Sequence, residues 1–332
     1  MKAIILQQYG QADQLQLEEV EQPTPKEFEV LIQVHAVSLN DWDWGLLRGK
    51  PFVNRVVLGL FKPKKAIIGM EVSGLVTAIG TGVTQWKIGD EVFGDLCNNG
   101  FGGLAEYACA HEKALALKPS NLTFEQAAAL PQCGLIALQG LAEKIQIQKG
   151  QKILINGAGG GTGSYALQLA KSYGAQVTGV DNEHKLALMT SLGADHVIDY
   201  RAQDFTKNGQ TYDVILDLMA YHSIFDYRRA LAPKGVYIAT GGSSWLLIRL
   251  LLVAPLLSLF SSKKMSILIY KPNQGLDRLK ELFAAGTLVP IIDRVFPLSG
   301  APEAMEYFGE GLAKGKLVIT MSQEKSQVIS KA

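Results

Sequence analysis

The chain has 332 residues, room for about two domains whose core needs neither disulfides nor metals. Its 32 Lys and Arg stand against 31 Asp and Glu, and a net charge of +1 gives no electrostatic footing for nucleic-acid binding. Apolar residues at 48% with charged residues at 19% exclude a disordered chain, and 34 glycines without a collagen period must serve turns and close backbone approaches.

Residues 1–10 read as a short strand entering a turn and lack the apolar core of a signal peptide. Runs at 30–37, 71–79 and 91–93 are alternating or β-branched, and glycines from Gly69 to Gly103 punctuate them. This predicts a β-rich domain, with no helical pattern of any length before Thr123. A capped helix then begins at 123–129, with Glu125 in its first turn. Strands at 152–156, 176–180, 196–198, 214–218 and 236–240 alternate with helices at 163–173, 185–192 and 223–231, the rhythm of a parallel sheet with crossovers. A strand at 266–270, a helix at 276–285 and a strand at 316–320 follow. The expected class is α/β: a doubly wound parallel sheet over 122–270, inserted in a discontinuous β-rich domain formed by 1–121 and 271–332.

Between these elements lies WLLIRLLLVAPLLSLF (245–260), with Arg249 as its one charge and Pro255 as a residue expected to break or kink a helix. A membrane span needs about 20 apolar residues, so sixteen fall short. A buried or pocket-lining segment, peripheral contact with a membrane surface, and a partner interface all remain open. The three cysteines, Cys97, Cys109 and Cys133, form no C-x-x-C pair, which excludes a disulfide framework and a four-cysteine zinc lobe. Reduced thiols fit a cytoplasmic setting.

The stretch ILINGAGGGTGS (153–164) packs five glycines into seven residues between a buried strand and a helix. That setting is the one a Rossmann dinucleotide fingerprint requires. Ala158, Gly160 and Gly163 fill its [GA]-x-G-x-x-G frame, with Gly159, Gly161 and Thr162 between them. Missing side chains let a pyrophosphate approach the backbone amides at a helix N-terminus. Asp181, eighteen residues after Gly163, ends the next strand, where an acid would bond the adenosine ribose hydroxyls. It also fits as an N-cap for the helix beginning near Lys185, and both roles can coexist.

Six ordered motifs resemble the quinone oxidoreductase/ζ-crystallin group of the medium-chain dehydrogenase/reductase superfamily. They include Gly150-Gln151, Ala158-Gly159-Gly160-Gly161 with Gly163, Gln168 and Lys171, and the segment Gly69-Met70-Glu71-Val72-Ser73-Gly74 with Gly80, Val83 and Gly89-Asp90. Gly103 with Ala105-Glu106-Tyr107, and Leu192-Gly193-Ala194-Asp195, complete the match. The resemblance implies a GroES-like catalytic domain around a Rossmann domain, a homodimer, and an active site in the cleft. Zinc-dependent relatives carry a Cys where this chain has Asn40 and a His where it has Met70, and only Cys133 matches their third ligand. One thiolate cannot hold a zinc that needs three protein ligands, so no zinc is expected.

Without a Lewis acid the fold is left with hydride transfer from NAD(P)H to a conjugated acceptor, a quinone or an α,β-unsaturated carbonyl (enone or enal). Asn40 and Asp43 fit the family's N-x-x-D pattern, ahead of Arg48-Gly49. By resemblance Asn40 faces the nicotinamide, and Asp43 serves as polar scaffold or proton relay. A structural salt bridge between Asp43 and Arg48 is the alternative. A tyrosine found in some relatives is replaced by Gly45, and Trp42 and Trp44 suggest an aromatic-walled pocket. Ile136 stands where the family has threonine. Lys185 and Tyr200 occupy positions that contact the 2′-phosphate in NADPH-specific relatives, whereas Asp181 favours NADH by repelling that phosphate. The resemblance favours NADPH, with NADH as the alternative, and Gly241 after strand 236–240 joins the cofactor-binding set. A non-catalytic NADPH-binding or membrane-associated protein is the other reading. Short-chain dehydrogenases are disfavoured, because no tyrosine here is followed four residues later by lysine.

Overall fold

A computed structural model describes residues 1–52, 55–56, 59–64, 67–98, 100–242, 244–259, 261–321 and 327–328. The strands, in chain order, are β1 (Lys2–Leu6), β2 (Leu15–Glu19), β3 (Glu29–Ser38), β4 (Glu71–Ile79), β5 (Glu91–Asp95), β6 (Tyr107–His111), β7 (Leu115–Leu117) and β8 (Lys152–Asn156). They continue with β9 (Gln176–Asp181), β10 (His196–Asp199), β11 (Tyr212–Asp217), β12 (Leu231–Ala239), β13 (Lys264–Ile267), β14 (Ile292–Pro297), β15 (Lys316–Thr320) and β16 (Gln327–Val328). The chain separates into two compact units. The first comprises Met1–Gln132, Pro272–Lys280 and Ile292–Ala332, and the second Cys133–Lys271 and Glu281–Ile291.

In the first unit an eight-stranded sheet runs β16-β14-β15-β3-β4-β5-β7, with β6 also paired to β3, and β1 and β2 form a separate antiparallel pair. Ile32, Val34, Val72, Phe296 and Leu317 are buried in its core, so these strands are held by one apolar face as the alternating pattern requires. In the second unit six parallel strands take the order β10-β9-β8-β11-β12-β13. Strand order reverses at β8, and ligands of such sheets bind outside the carboxyl ends of the strands at that switch point. The glycine loop leaves β8 there.

The structure corrects three local expectations. A helix, Asp41–Arg48, does precede Thr123. It is short and contains Gly45, which hid its period, yet a capping box between Asn40 and Asp43 starts it and left-handed Gly49 ends it. At Thr123 the helix starts as expected, with Glu125 in its first turn and Gln126 closing the capping box. Pro255 does not end the apolar segment, which forms one helix, Ser244–Leu259. One lost hydrogen bond is outweighed where Leu246, Leu250 and Ala254 bury one side against the sheet core. The strand expected at 266–270 is β13, four residues long and paired in parallel with β12 through Val236 and Lys264.

Candidate functional site

In the second unit the backbone turns from β8 into the helix Gly161–Ser172 through a loop held by its neighbours. The amides of Gly157 and Ala158 both donate to the Val180 carbonyl, and that of Gly159 donates to Asp181 Oδ2 at 3.0 Å. Gly157 adopts φ +91°, a conformation that side-chain-bearing residues rarely take. A Cβ on Gly163 would overlap the Gly157 carbonyl oxygen and lie 2.5 Å from Ala158 Cα, so helix and loop touch backbone to backbone. Gly160 is the contrast. Among the described residues a Cβ there would meet only the Gly157 carbonyl, at 3.6 Å, which leaves an open cradle in front of the first helical turn. The amides of Gly161, Thr162 and Gly163 lie in that turn, where no intrahelical acceptor exists.

Asp181 closes β9 from beneath this loop. Besides Gly159 it accepts the Asn182 amide at 2.8 Å, and Lys185 Nζ stands 3.6 Å from its Oδ1. Carboxylate and ammonium are both buried, so each is compensated where it lies. The helix-cap alternative for Asp181 is not the arrangement seen, because its oxygens serve the loop and the following residue rather than a helix turn. A side chain on Gly159 would run into Lys185, its Cβ falling 2.5 Å from Lys185 Cβ. The Tyr200 amide bonds to the Asp181 carbonyl at 3.1 Å and brings Tyr200 to the same corner. Arg201, which the sequence reading missed, lies with its guanidinium 5.6 Å from the exposed Tyr200 ring.

Asp217, at the end of β11, was also missed. Its carboxylate accepts from Asn156 Nδ2 at 2.8 Å, from the amides of Met219 and Ala220, and from the Tyr237 hydroxyl at 2.9 Å. One buried acid thus fastens the carboxyl ends of β8, β11 and β12, and its neighbour Tyr237 has its hydroxyl pKa raised by burial first and by the Asp217 charge second. Gly241 lies beyond β12, where a Cβ would sit 3.1 Å from the Leu218 carbonyl. An acid closing an apolar strand was the available signal, the same one that drew attention to Asp181.

The first unit gathers a second polar group around Asn40. Asn40 Nδ2 donates to Glu71 Oε2 at 2.6 Å and Lys316 Nζ donates to Asn40 Oδ1 at 2.5 Å and to Glu71 Oε2 at 2.7 Å. Glu71 also takes the Gln132 amide through Oε1, and Lys316 reaches the Leu39 carbonyl at 3.2 Å. All of these side chains are buried. Asp43, fully buried, accepts the amides of Asn40 and Gly69, each at 3.1 Å. Burial pushes its carboxyl up to about 7, the Glu71 charge adds to the rise, and the two amides with Lys316 oppose it.

Because that folded pKa lies above the ordinary value near 4, Asp43 contributes stability that is full below about pH 4 and lost as pH rises through about 7. Thermal melts from pH 4 to pH 8 should therefore fall less steeply for Asp43→Asn than for the parent. The variant's absolute stability is lower throughout, since its amide NH2 turns toward a backbone N–H. Parallel curves would contradict the raised pKa.

The Asp43–Arg48 salt bridge is replaced by other pairings. Arg48 lies 5.1 Å over the Trp44 ring, and Asp43 is held by backbone amides. Trp42 and Trp44 form no common wall either. Two residues apart on a helix they point about 200° apart. Trp42 is 57% exposed, while Trp44 packs so close to Gly309 that a Cβ there would overlap its ring. Among the described residues no group of three or more His, Cys, Asp and Glu is placed to hold a metal.

Residues 26–120 match the alcohol dehydrogenase GroES-like domain family, and residues 192–319 the zinc-binding dehydrogenase family. A chloroplastic quinone oxidoreductase of Triphysaria versicolor is 34% identical over 96% of this chain and 98% of that protein. The chain belongs to the medium-chain dehydrogenase/reductase superfamily, in its quinone oxidoreductase/ζ-crystallin group. A chloroplastic NADPH-dependent alkenal/one oxidoreductase of Arabidopsis thaliana is 32% identical over 96% of this chain and 79% of that relative. Among solved structures, the quinone oxidoreductase of Coxiella burnetii superposes with a TM-score of 0.86 at 30% identity, covering 97% of this chain and 99% of that one. This chain has the mixed architecture described above, a GroES-like β unit and a parallel Rossmann sheet.

Proposed function

We propose that the protein is an NADPH-dependent reductase of quinones or α,β-unsaturated carbonyls. The open cradle at Gly160, set before the free amides of a helix N-terminus, is the observation that carries this reading. When bound, NADPH supplies a hydride, and the acceptor takes it up together with a proton.

Gly161, Thr162 and Gly163 would hold the pyrophosphate through the backbone N–H groups of the first helical turn, with Gly159 and Gly160 shaping the loop in front of it. Ala158 and Gly241 keep the approach free of bulky side chains. Asp181 holds the Gly159 amide, and its charge is answered by Lys185, so its repulsion of a 2′-phosphate is blunted. Lys185, Tyr200 and Arg201 line one corner with two cations and a hydroxyl, a set suited to that phosphate. The relative named for NADPH and for alkenals and enones supports the same choice of cofactor and acceptor. In the first unit Asp43 fixes the helix Asp41–Arg48 and holds a proton near neutral pH. Asn40 ties that helix to Glu71 and Lys316, while Trp44 and Arg48 stack as its outer face.

Zinc does not fit the donors present. Asn40 offers an amide already bound to an ammonium, and Met70 a buried thioether. Lys316 places its positive charge among Leu39, Asn40 and Glu71 oxygens that a metal would have to claim. The same reading takes the protein to be a homodimer in the cytoplasm, the first from the resemblance and the second from an odd count of three cysteines with no C-x-x-C pair.

Steady-state NADPH oxidation against a panel of quinones and enals tests the activity, and tight NADPH binding without turnover on any acceptor would favour the non-catalytic alternative. Lys185→Ala is expected to raise KM for NADPH by roughly ten- to hundredfold while changing KM for NADH far less, the loss of one charge-assisted contact. Equal effects on both cofactors would remove Lys185 from phosphate recognition.

A further inference from the structure

Asp217 ends β11 in the second unit with a fully buried carboxylate. Among the described residues four donors meet it, and three of them share one oxygen. Asn156 Nδ2 at 2.8 Å and the amides of Met219 at 3.1 Å and Ala220 at 2.8 Å all reach Oδ1, while the Tyr237 hydroxyl takes Oδ2. Asn156 stands directly opposite Asp217 in the β8–β11 register and is the last residue before the glycine loop. Oδ1 therefore joins the base of that loop to the turn that follows β11.

The backbone around it is equally close. The Leu218 amide donates to the Asn156 carbonyl at 3.0 Å, and the Thr240 amide to the Asp217 carbonyl at 3.0 Å. A Cβ on Gly157 would lie 3.3 Å from Leu218 Cβ and 3.2 Å from Met219 Cγ, and one on Gly242 would overlap Ala220 Cβ. The turns after β8, β11 and β12 thus lie in contact. Ala220 has φ +51°, in the left-handed region that alanine rarely occupies, and the bond from its amide to Oδ1 holds it there.

We propose that Asp217 is a positioning residue for the nicotinamide half of the dinucleotide, a role that rests on the reductase reading above. A doubly wound sheet takes the two halves of a dinucleotide on either side of its switch strand. Asp181 ends β9, Lys185 follows it and Tyr200 follows β10, so the adenosine half lies on that side of β8. The nicotinamide half then crosses to the ends of β11 and β12, where Met219 is exposed beside Gly157 and Gly241 follows β12. Asp217 acts through Asn156, Met219 and Ala220. It fixes these turns before the cofactor arrives, so that binding does not have to order them.

Equilibrium titrations of the full chain with NADPH and with adenosine 2′,5′-bisphosphate, the phosphate-bearing adenosine half alone, test it. Asp217→Ala should weaken NADPH binding by about tenfold or more and leave the bisphosphate within about twofold of the parent. Asp217→Asn keeps the oxygen that three donors share and should restore NADPH affinity to within about threefold of the parent. If Asp217→Ala does not fold, Asn156→Ala, which removes one donor, should show the same split at about threefold. Equal weakening of both ligands, parent-like NADPH binding in the alanine variant, or no recovery in Asp217→Asn would overturn the positioning role and leave the dinucleotide site in place. A parent chain that binds NADPH but not the bisphosphate would deny the division into halves and overturn it too. A parent chain that binds neither ligand would remove the reductase reading and the positioning role together.

Discussion

Gly160→Ala should weaken NADPH binding by about ten- to hundredfold and leave the melting temperature of the free protein unchanged. Among the described residues a methyl group at Gly160 meets nothing nearer than the Gly157 carbonyl at 3.6 Å, and the residue's φ of −87° suits alanine. Its only cost falls on whatever fills the cradle. Gly163→Ala is the companion with the opposite signature. Its Cβ would overlap the Gly157 carbonyl and fall 2.5 Å and 2.7 Å from Ala158 Cα and C, all backbone atoms that cannot swing aside. The loop would have to part from the helix, at about 3 kcal/mol or more of stability. Thermal melts with and without NADPH, plus a binding titration, separate the two. If Gly160→Ala binds NADPH as the parent does, the pyrophosphate does not lie over this turn, and the carrying observation for the reductase reading is lost.

These two glycines look alike in the sequence, and only the structure separates one that packs backbone on backbone from one that faces an open cradle. The fingerprint was legible because its physics is local: strand, glycines and helix are contiguous, and the alternation of β8, β9, β11 and β12 with helices follows period alone. Asp181 was legible as an acid after a strand, but its attachment to the Gly159 amide was not, since that bond joins residues 22 apart. The helix Asp41–Arg48 was lost because eight residues with an internal glycine carry little periodic signal, and its cap depends on Asn40 and Asp43 facing each other. Lys316 was hidden most completely. It opens an apolar strand where a lysine is ordinarily solvated, and its partners lie 245 and 276 residues away. No spacing rule reaches that far.

Lys316→Met is accordingly the substitution in the first unit with the largest expected effect. The ammonium is buried with Glu71 Oε2 2.7 Å away and also satisfies Asn40 Oδ1 and the Leu39 carbonyl. Methionine matches the lysine stem but leaves a buried carboxylate opposite it without its cation. Breaking one side of such a pair costs about 3–5 kcal/mol, on the order of 10 °C in melting temperature for a chain of this size. Lys316→Met combined with Glu71→Gln removes both charges and should recover a large part of that loss, whereas independent roles would make the two losses add. A second readout connects the pair to the site. Lys316 is one of the groups holding Asp43 down from the rise that burial imposes, so in Lys316→Met that carboxyl should titrate above its present value of about 7. Carbonyl-carbon NMR of Asp43 follows this directly. An unchanged Asp43 titration together with additive stability losses would reduce Lys316 to a packing residue. A coupled loss and an upward titration would show that one buried ammonium sets both the amide geometry of Asn40 and the pH at which Asp43 gives up its proton.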